Sequence, residues 1–277
     1  MASPSYADAR FTVLIMAANR RGPENPVARL AGTSHKCIAP VAGMPMIDRV
    51  LTTISRWGKA GRILVSIEDA GVLDAAPKAT RMREAGDLEV VKSGTNLADS
   101  VLKACEHLDA ADYPLLITTG DNVLHTPEVL EDFCSGILGS DADAGLALVS
   151  YDTVARRLPK EAPKVGYLRF AEGQHSNCNI YLLKSEAAVP LVRTMRDGGQ
   201  FRHYPFRILR AFGLIPMIKY QLGRARISDI ETSLERMFHV RFKAVLLDHP
   251  FAPIDVDSAG THALAERLLR ETDSADA

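Results

Sequence analysis

The stretch from Phe11 to Leu51 constrains this chain more than any other. Phe11 to Met16 is an apolar, β-branched run of the length of a buried strand. Residues 17 to 45 are polar, cationic and irregular, and an amphipathic helix then spans Met46 to Trp57. Unstructured loops of that length are uncommon inside compact domains and are usually functional or disordered. This one carries Arg20, Arg21, Arg29 and Lys36, with Gly22, Gly32 and Gly43 as pivots and Pro23, Pro26, Pro40 and Pro45 as stiffeners. Strand, cationic loop and helix is the layout of a phosphate site, because backbone N–H groups and a helix N-terminus face the anion while basic side chains neutralise it.

Composition narrows the class. The 277 residues are 47% apolar, enough to build a core, and we read them as one domain, 1–277, with a helical insertion at about 193–240. A net charge of −1 supplies no global field for nucleic acid. Met1 to Arg10 lacks the apolar core of a signal peptide and no apolar run is long enough to cross a bilayer, so a cytoplasmic protein is expected. Cys37, Cys105, Cys134 and Cys178 have no C-x-x-C spacing and read as buried or incidental thiols.

Further strands are expected at Arg62 to Glu68, Leu88 to Lys92, Tyr113 to Thr119, Ala144 to Ser150, Gly166 to Phe170, Asn177 to Leu183 and Phe242 to Leu247. Helices are expected at Pro77 to Ala85, at Gly94 to Leu108 behind a Thr95 or Asn96 cap, and after Thr126-Pro127-Glu128. Ser228 to Glu231 has the form of a capping box opening a helix to His239. A last helix runs to about Arg270, with a frayed end from Glu271 to Ala277. This alternation implies a Rossmann-like α/β fold, a mostly parallel central sheet flanked by helices that binds ligands at the carboxyl ends of its strands. Asp121 and the loop after Met16 both sit at such ends. A lone Asp there is as readily a turn residue. Asp255 and Asp257, two positions apart, can share one face of an extended segment.

Residues His35-Lys36-Cys37-Ile38-Ala39-Pro40-Val41-Ala42-Gly43-Met44-Pro45-Met46 resemble the P-K-x-L-x-P-V-x-G-x-P-M signature of nucleotidyltransferases of the molybdenum-cofactor guanylyltransferase and sugar- or polyol-phosphate cytidylyltransferase type, a GT-A-like family. That family opens on L-A-A-G-x-G-x-R-M. Met16-Ala17-Ala18 fits this opening, whereas Asn19 and Arg21 stand where the family has glycines. The resemblance implies that Ala17, Ala18, Asn19 and Gly22 line the triphosphate, with Arg20 or Arg21 in place of the family arginine. It also implies base contacts from Asn96 and Ser100 within a G-x-x-R-x-D-S-V-like stretch, although Leu97 occupies the arginine position; a capped packing helix is the plain alternative. Thr118-Thr119-Gly120-Asp121 resembles the family's metal-aspartate motif, and Pro253-Ile254-Asp255-Val256-Asp257-Ser258 its D-I-D-T-P-E-D-L ending. The implied Mg²⁺ ligands are Asp121 and Asp257, with Asp255 as a nearby alternate, and Gly120 contacts the nucleotide. Gly166, Asn177 and Asn179 fall where related enzymes line the acceptor pocket; Asn177 could equally be a turn residue bonding its own backbone.

Together the motifs imply a magnesium-dependent transferase that joins an NMP from a nucleoside triphosphate to a phosphorylated sugar, polyol or small alcohol. Lys36 and Arg20 or Arg21 would stabilise the developing charge. CTP is favoured by the D-S-V and D-V-D-S matches, with GTP and UTP close behind. Two other classes stand beside this one: a GT-A glycosyltransferase using Asp255-x-Asp257, and a catalytically silent nucleotide-binding homologue. The stretch from Arg193 to Arg226 has eight basic residues and one acidic one among many apolar ones. It reads as a lid or acceptor-pocket subdomain, as a contact with a membrane surface or a second subunit, or as a solvated face. No RNA-binding motif occurs in it.

Overall fold

The structure, a computed structural model, describes residues 6–19, 22–198 and 214–275. Arg20, Arg21 and the middle of the basic stretch lie outside the described residues. The strands are β1 (Phe11–Met16), β2 (Pro40–Val41), β3 (Met44–Pro45), β4 (Ala60–Ile67), β5 (Glu89–Lys92), β6 (Leu115–Thr119), β7 (Ala144–Ser150), β8 (Leu168–Phe170), β9 (Gly173–Leu183) and β10 (Phe242–Leu247). The helices are α1 (Pro26–Ala31), α2 (Met46–Trp57), α3 (Pro77–Glu84), α4 (Leu97–Cys105), α5 (Pro127–Leu138), α6 (Tyr151–Arg157), α7 (Val189–Gly198), α8 (Leu214–Gln221), α9 (Ile227–Phe238) and α10 (Ala259–Ala275).

The central sheet runs β10-β7-β9-β6-β1-β4-β5, with β8 paired to β9. Pairs β1–β4, β1–β6, β4–β5 and β7–β10 are parallel, and β9 runs antiparallel to β6, β7 and β8. This is the mostly parallel α/β sheet that the element order implies. Strand β1 shows why its sequence is apolar throughout. Successive side chains alternate between faces, so Phe11, Val13 and Ile15 enter one apolar layer while Leu14 and Met16 enter the other. The first layer takes helical side chains from α1, α2, α3, α5, α6 and α10, the second from α4, α7 and α9.

Helix α2 presents Met46, Ile47, Val50, Leu51, Ile54 and Trp57 to the core, a helical stripe that ends at the left-handed Gly58. Its Asp48 is buried and accepts from the backbone N–H groups of Lys78 and Ala79, each at 2.9 Å, and so caps α3 from a neighbouring helix.

Several elements differ from their sequence readings. From Gly22 onward the loop after β1 is built of short structured elements. It contains α1, whose N-cap Asn25 accepts from Val27 and Ala28 N–H at 3.0 and 3.3 Å and whose C-cap is the left-handed Gly32. A two-residue hairpin, β2–β3, follows, with Ala42 and Gly43 both at positive φ. Helix α9 starts at Ile227, not at Ser228, because Asp229 accepts the Arg226 N–H at 2.8 Å; Glu231 instead reaches the Ala244 N–H of β10 at 2.8 Å. Thr126 precedes α5 as expected, but its hydroxyl makes no cap bond. Helix α10 continues to Ala275 rather than ending near Arg270. No helix among the described residues is long and apolar enough to cross a membrane. The four cysteines are free, and burial pushes the Cys37 thiol up to about 12.

Candidate active site

Three adjacent parallel strands, β4, β1 and β6, end side by side: Ser66 pairs with Met16, and Met16 with Thr119. The ladder extends one step beyond each end, with Ala17 N–H donating to Ser66 O and Gly120 N–H to Met16 O, both at 2.9 Å. This edge therefore carries Glu68, the segment from Ala17 to Asn19, and Asp121. The Val256 N–H donates to the Asp121 carbonyl at 3.3 Å and draws in the segment with Asp255 and Asp257. Those two aspartates lie in irregular chain after β10, not on a strand as their spacing had allowed. The Thr261 hydroxyl fixes the turn by accepting from the Asp257 and Ser258 N–H groups at 2.9 and 3.0 Å.

Carboxylate oxygens of Asp121, Asp255 and Asp257 lie within 4.8 Å of one another. The Lys36 ammonium, on a short turn between α1 and β2, donates to both Asp121 and Asp257. Burial opposes the charge of Lys36, but the two carboxylates outweigh it and hold the ammonium above its ordinary range. Asp255 is pushed up to about 6, first by burial and then by repulsion from Asp257 and Asp121. One ammonium cannot neutralise three carboxylates. Such a set of hard oxygens with surplus negative charge fits a small divalent cation, for which all three aspartates would be ligands.

The Lys36 loop is held from several sides. His262 donates to Pro40 O at 2.8 Å, and Glu266 accepts the Ala42 N–H at 3.1 Å, so α10 clamps the β2–β3 hairpin. Arg49 of α2 donates to the carbonyls of Val41 and Ala42 at 2.6 and 2.8 Å. At the start of the loop, Asn19 donates through its amide to Gly22 O at 2.7 Å and Ser34 O at 3.2 Å, and through its backbone to Glu68. Glu68 also accepts from His35 Nε2 at 3.1 Å.

The remaining candidates fall as follows. Ala17 and Asn19 are buried at the end of β1, and Gly22 takes the positive φ at which the loop turns. Asn96 caps α4 by accepting the Asp99 N–H at 2.9 Å. The buried Ser100 hydroxyl donates to Asn96 O and accepts the Gly94 N–H at 2.8 Å. This turn stands at the carboxyl end of β5, on the same edge as Glu68. Gly166 is exposed ahead of β8. Asn177 accepts the Asn179 N–H at 2.9 Å, the turn pattern allowed for it, and Asn179 reaches Asp255 at 3.2 Å. Sequence reasoning gave no role to Glu68, His35, Thr119 or Thr261. The single proton of the Thr119 hydroxyl is shared between Asp121 and Asn122. A signal for Glu68 was present: like Asp121, it is an acid just past the end of a strand.

Residues 27–199 match the MobA-like NTP transferase domain. The chain belongs to that family. It is thereby a nucleotidyltransferase, and the Lys36 signature and Asp121 both fall inside the matched region. A comparison with curated proteins finds no match. Among solved structures, the transferase is similar to a hypothetical transferase from Thermus thermophilus, with TM-score 0.73 and 22% identity over 91% of this chain and 99% of that one. It also resembles 4-diphosphocytidyl-2C-methyl-D-erythritol synthase from Anaerococcus prevotii, TM-score 0.54 and 13% identity over 95% and 99%. A third neighbour is a CMP:2-keto-3-deoxy-manno-octonic acid synthetase complexed with CTP, TM-score 0.54 and 12% identity over 95% and 99%. At these identities the likeness is one of fold.

Proposed function

We propose that the transferase joins the NMP of a nucleoside triphosphate, with CTP preferred, to a small phosphorylated sugar, polyol or alcohol, and releases pyrophosphate in a magnesium-dependent reaction. The observation that carries this reading is the cluster of Asp121, Asp255 and Asp257 at the carboxyl edge of the sheet, with Lys36 bridging Asp121 and Asp257. An acceptor phosphate oxygen attacks the α-phosphorus, the bond to the bridging oxygen of the β-phosphate breaks, and pyrophosphate leaves. The acceptor is already ionised at neutral pH, so the step needs no base and no covalent enzyme intermediate. The work left to the protein is to bring anions together and to stabilise the transition state.

Asp121, Asp255 and Asp257 would hold the cation, which when bound supplies Lewis acidity toward the α-phosphate. In the free protein Lys36 neutralises part of the carboxylate cluster. With nucleotide bound, its ammonium faces the triphosphate and stabilises charge on the departing pyrophosphate, alongside Arg20 or Arg21. The loop between β1 and α1 contributes backbone N–H groups, and the contacts of Asn19 and Glu68 hold that loop in shape. CTP is supported by Asp99-Ser100-Val101 and Asp255-Val256-Asp257-Ser258, and by the fold shared with two enzymes whose names carry cytidylyl products. We place the protein in the cytoplasm and read residues 193–226 as an inserted segment beside the acceptor side or in contact with a membrane or a second copy. Membership of a nucleotidyltransferase family sets the glycosyltransferase alternative aside. The carboxylates and Lys36 speak against a silent homologue.

Nucleotide choice is tested by thermal unfolding with Mg²⁺ and each nucleoside triphosphate at one concentration. Saturation a hundredfold above Kd stabilises by about 2.7 kcal/mol. CTP is expected to raise the midpoint most. A larger shift with GTP, or equal shifts with all four, would overturn the preference.

A further inference from the structure

Asn179 is one of three non-glycine residues at positive φ among the described residues, at 55°. That left-handed backbone is costly for a residue with a Cβ, and asparagine is among the side chains that tolerate it best. The position lies in an irregularity of the sheet. Leu146 and Leu148 of β7 pair with Tyr181 and Asn177 of β9, so β9 carries extra residues across this interval, among them Asn179. Bulges of this kind re-aim a side chain, and they gather beside active sites. Here the turn is braced from within. Asn177 accepts the Asn179 N–H at 2.9 Å, and the Asn177 amide donates to the Tyr181 hydroxyl at 2.5 Å.

The braced turn delivers one contact to the cluster: the Asn179 amide donates to Asp255 Oδ2 at 3.2 Å. Lys36 bonds the other two aspartates, and Thr119 supports Asp121. Among the described residues, the side-chain donor to Asp255 is Asn179.

We propose that Asn179 is a positioning residue: the β9 bulge presents its amide to Asp255 and holds that carboxylate toward Asp121 and Asp257, so that the three can share a divalent cation. This rests on the metal reading above. Donors behind ligating carboxylates commonly account for 10–100-fold in metal affinity. The test therefore reads binding as well as rate, with Mn²⁺ as the probe, followed by the paramagnetic resonance of free Mn²⁺, and with unfolding midpoints measured on the same samples.

Asn179→Gly keeps the left-handed backbone at no steric cost, retains the N–H that Asn177 accepts, and removes the amide. Its midpoint is expected to stay level or rise while Mn²⁺ affinity falls by about tenfold or more. Asn179→Ala removes the same amide but strains the turn, so its midpoint should fall while its Mn²⁺ affinity matches that of the glycine variant. Wild-type affinity in Asn179→Gly would overturn the role of Asn179 alone. Affinity that follows the midpoint across the two variants would reduce Asn179 to a structural residue. Failure of the wild-type protein to bind Mn²⁺ would overturn the inference together with the metal reading.

Discussion

Asp121→Asn is expected to lower pyrophosphate release by about 10²–10³-fold while leaving the protein at least as stable as the wild type, the rate loss scaled from removal of one group that stabilises a transition state. The carboxylate of Asp121 is held by the Thr119 hydroxyl on one oxygen and by the Lys36 ammonium on the other. Asparagine matches its shape but removes the charge and turns a donor toward one of those partners. The fold has little reason to suffer. The tie between Asp121 and the Asp255–Asp257 segment runs through backbone, by the Val256 N–H on its carbonyl, and survives the substitution. Removing one charge also relieves Asp255, which burial, and then repulsion from Asp257 and Asp121, push up to about 6. A site poised for function at a cost in stability has this signature, activity lost and stability kept or gained. Steady-state rates and unfolding midpoints on one preparation check it; an unchanged rate would remove Asp121 from the chemistry.

Lys36→Met is expected to cost about two orders of magnitude in turnover for a different reason. The lysine is largely buried, with 13% of its side chain exposed, so methionine preserves the packing of its stem and deletes the ammonium. In the free protein this leaves the three carboxylates without their internal counter-ion. Mn²⁺ should then bind the free variant at least as tightly as it binds the wild type, because the cation no longer displaces an ammonium from Asp121 and Asp257. A rate that falls while metal binding holds separates a group acting on the triphosphate from one that merely assembles the site. Loss of both together would make Lys36 structural. Because Lys36 and Asp121 touch, the double variant should lose much less than the product of the single losses.

The sequence was most legible where local pattern decides structure. The apolar run Phe11 to Met16, the stripe of α2, and the runs at β7 and β10 were bounded as they fold, since strand and helix periodicity is a property of neighbours in the chain. The aspartates and Lys36 were legible as motifs, and the sheet edge collects them. Other features carry only weak local signals. Asn25, Pro26 and Gly32 mark the start and stop of α1 in a helix of only six residues, shorter than a periodic pattern can reveal. The direction of β9 was not available at all, because an antiparallel strand looks like any apolar strand until its partners are known.

Long-range polar contacts were equally hidden. Glu68 meets Asn19 and His35 across 49 and 33 positions, and Asn179 meets Asp255 across 76. No spacing rule links such residues; topology alone brings them together. The two-residue interval between Asp255 and Asp257 suggested a strand face, yet their proximity to Asp121 comes from a loop pinned by Val256 and Thr261.

Transfer of a nucleotide to a phosphorylated acceptor is read out by pyrophosphate release. The purified chain is offered CTP, GTP, UTP or ATP with Mg²⁺, each against a pooled set of sugar, polyol and amino-alcohol phosphates and against no acceptor. Release is expected to require one nucleotide, CTP first, together with one acceptor, and to stop when the metal is chelated. Release that proceeds equally without any acceptor, or none with any pair while the nucleotide demonstrably binds, would contradict such a transfer.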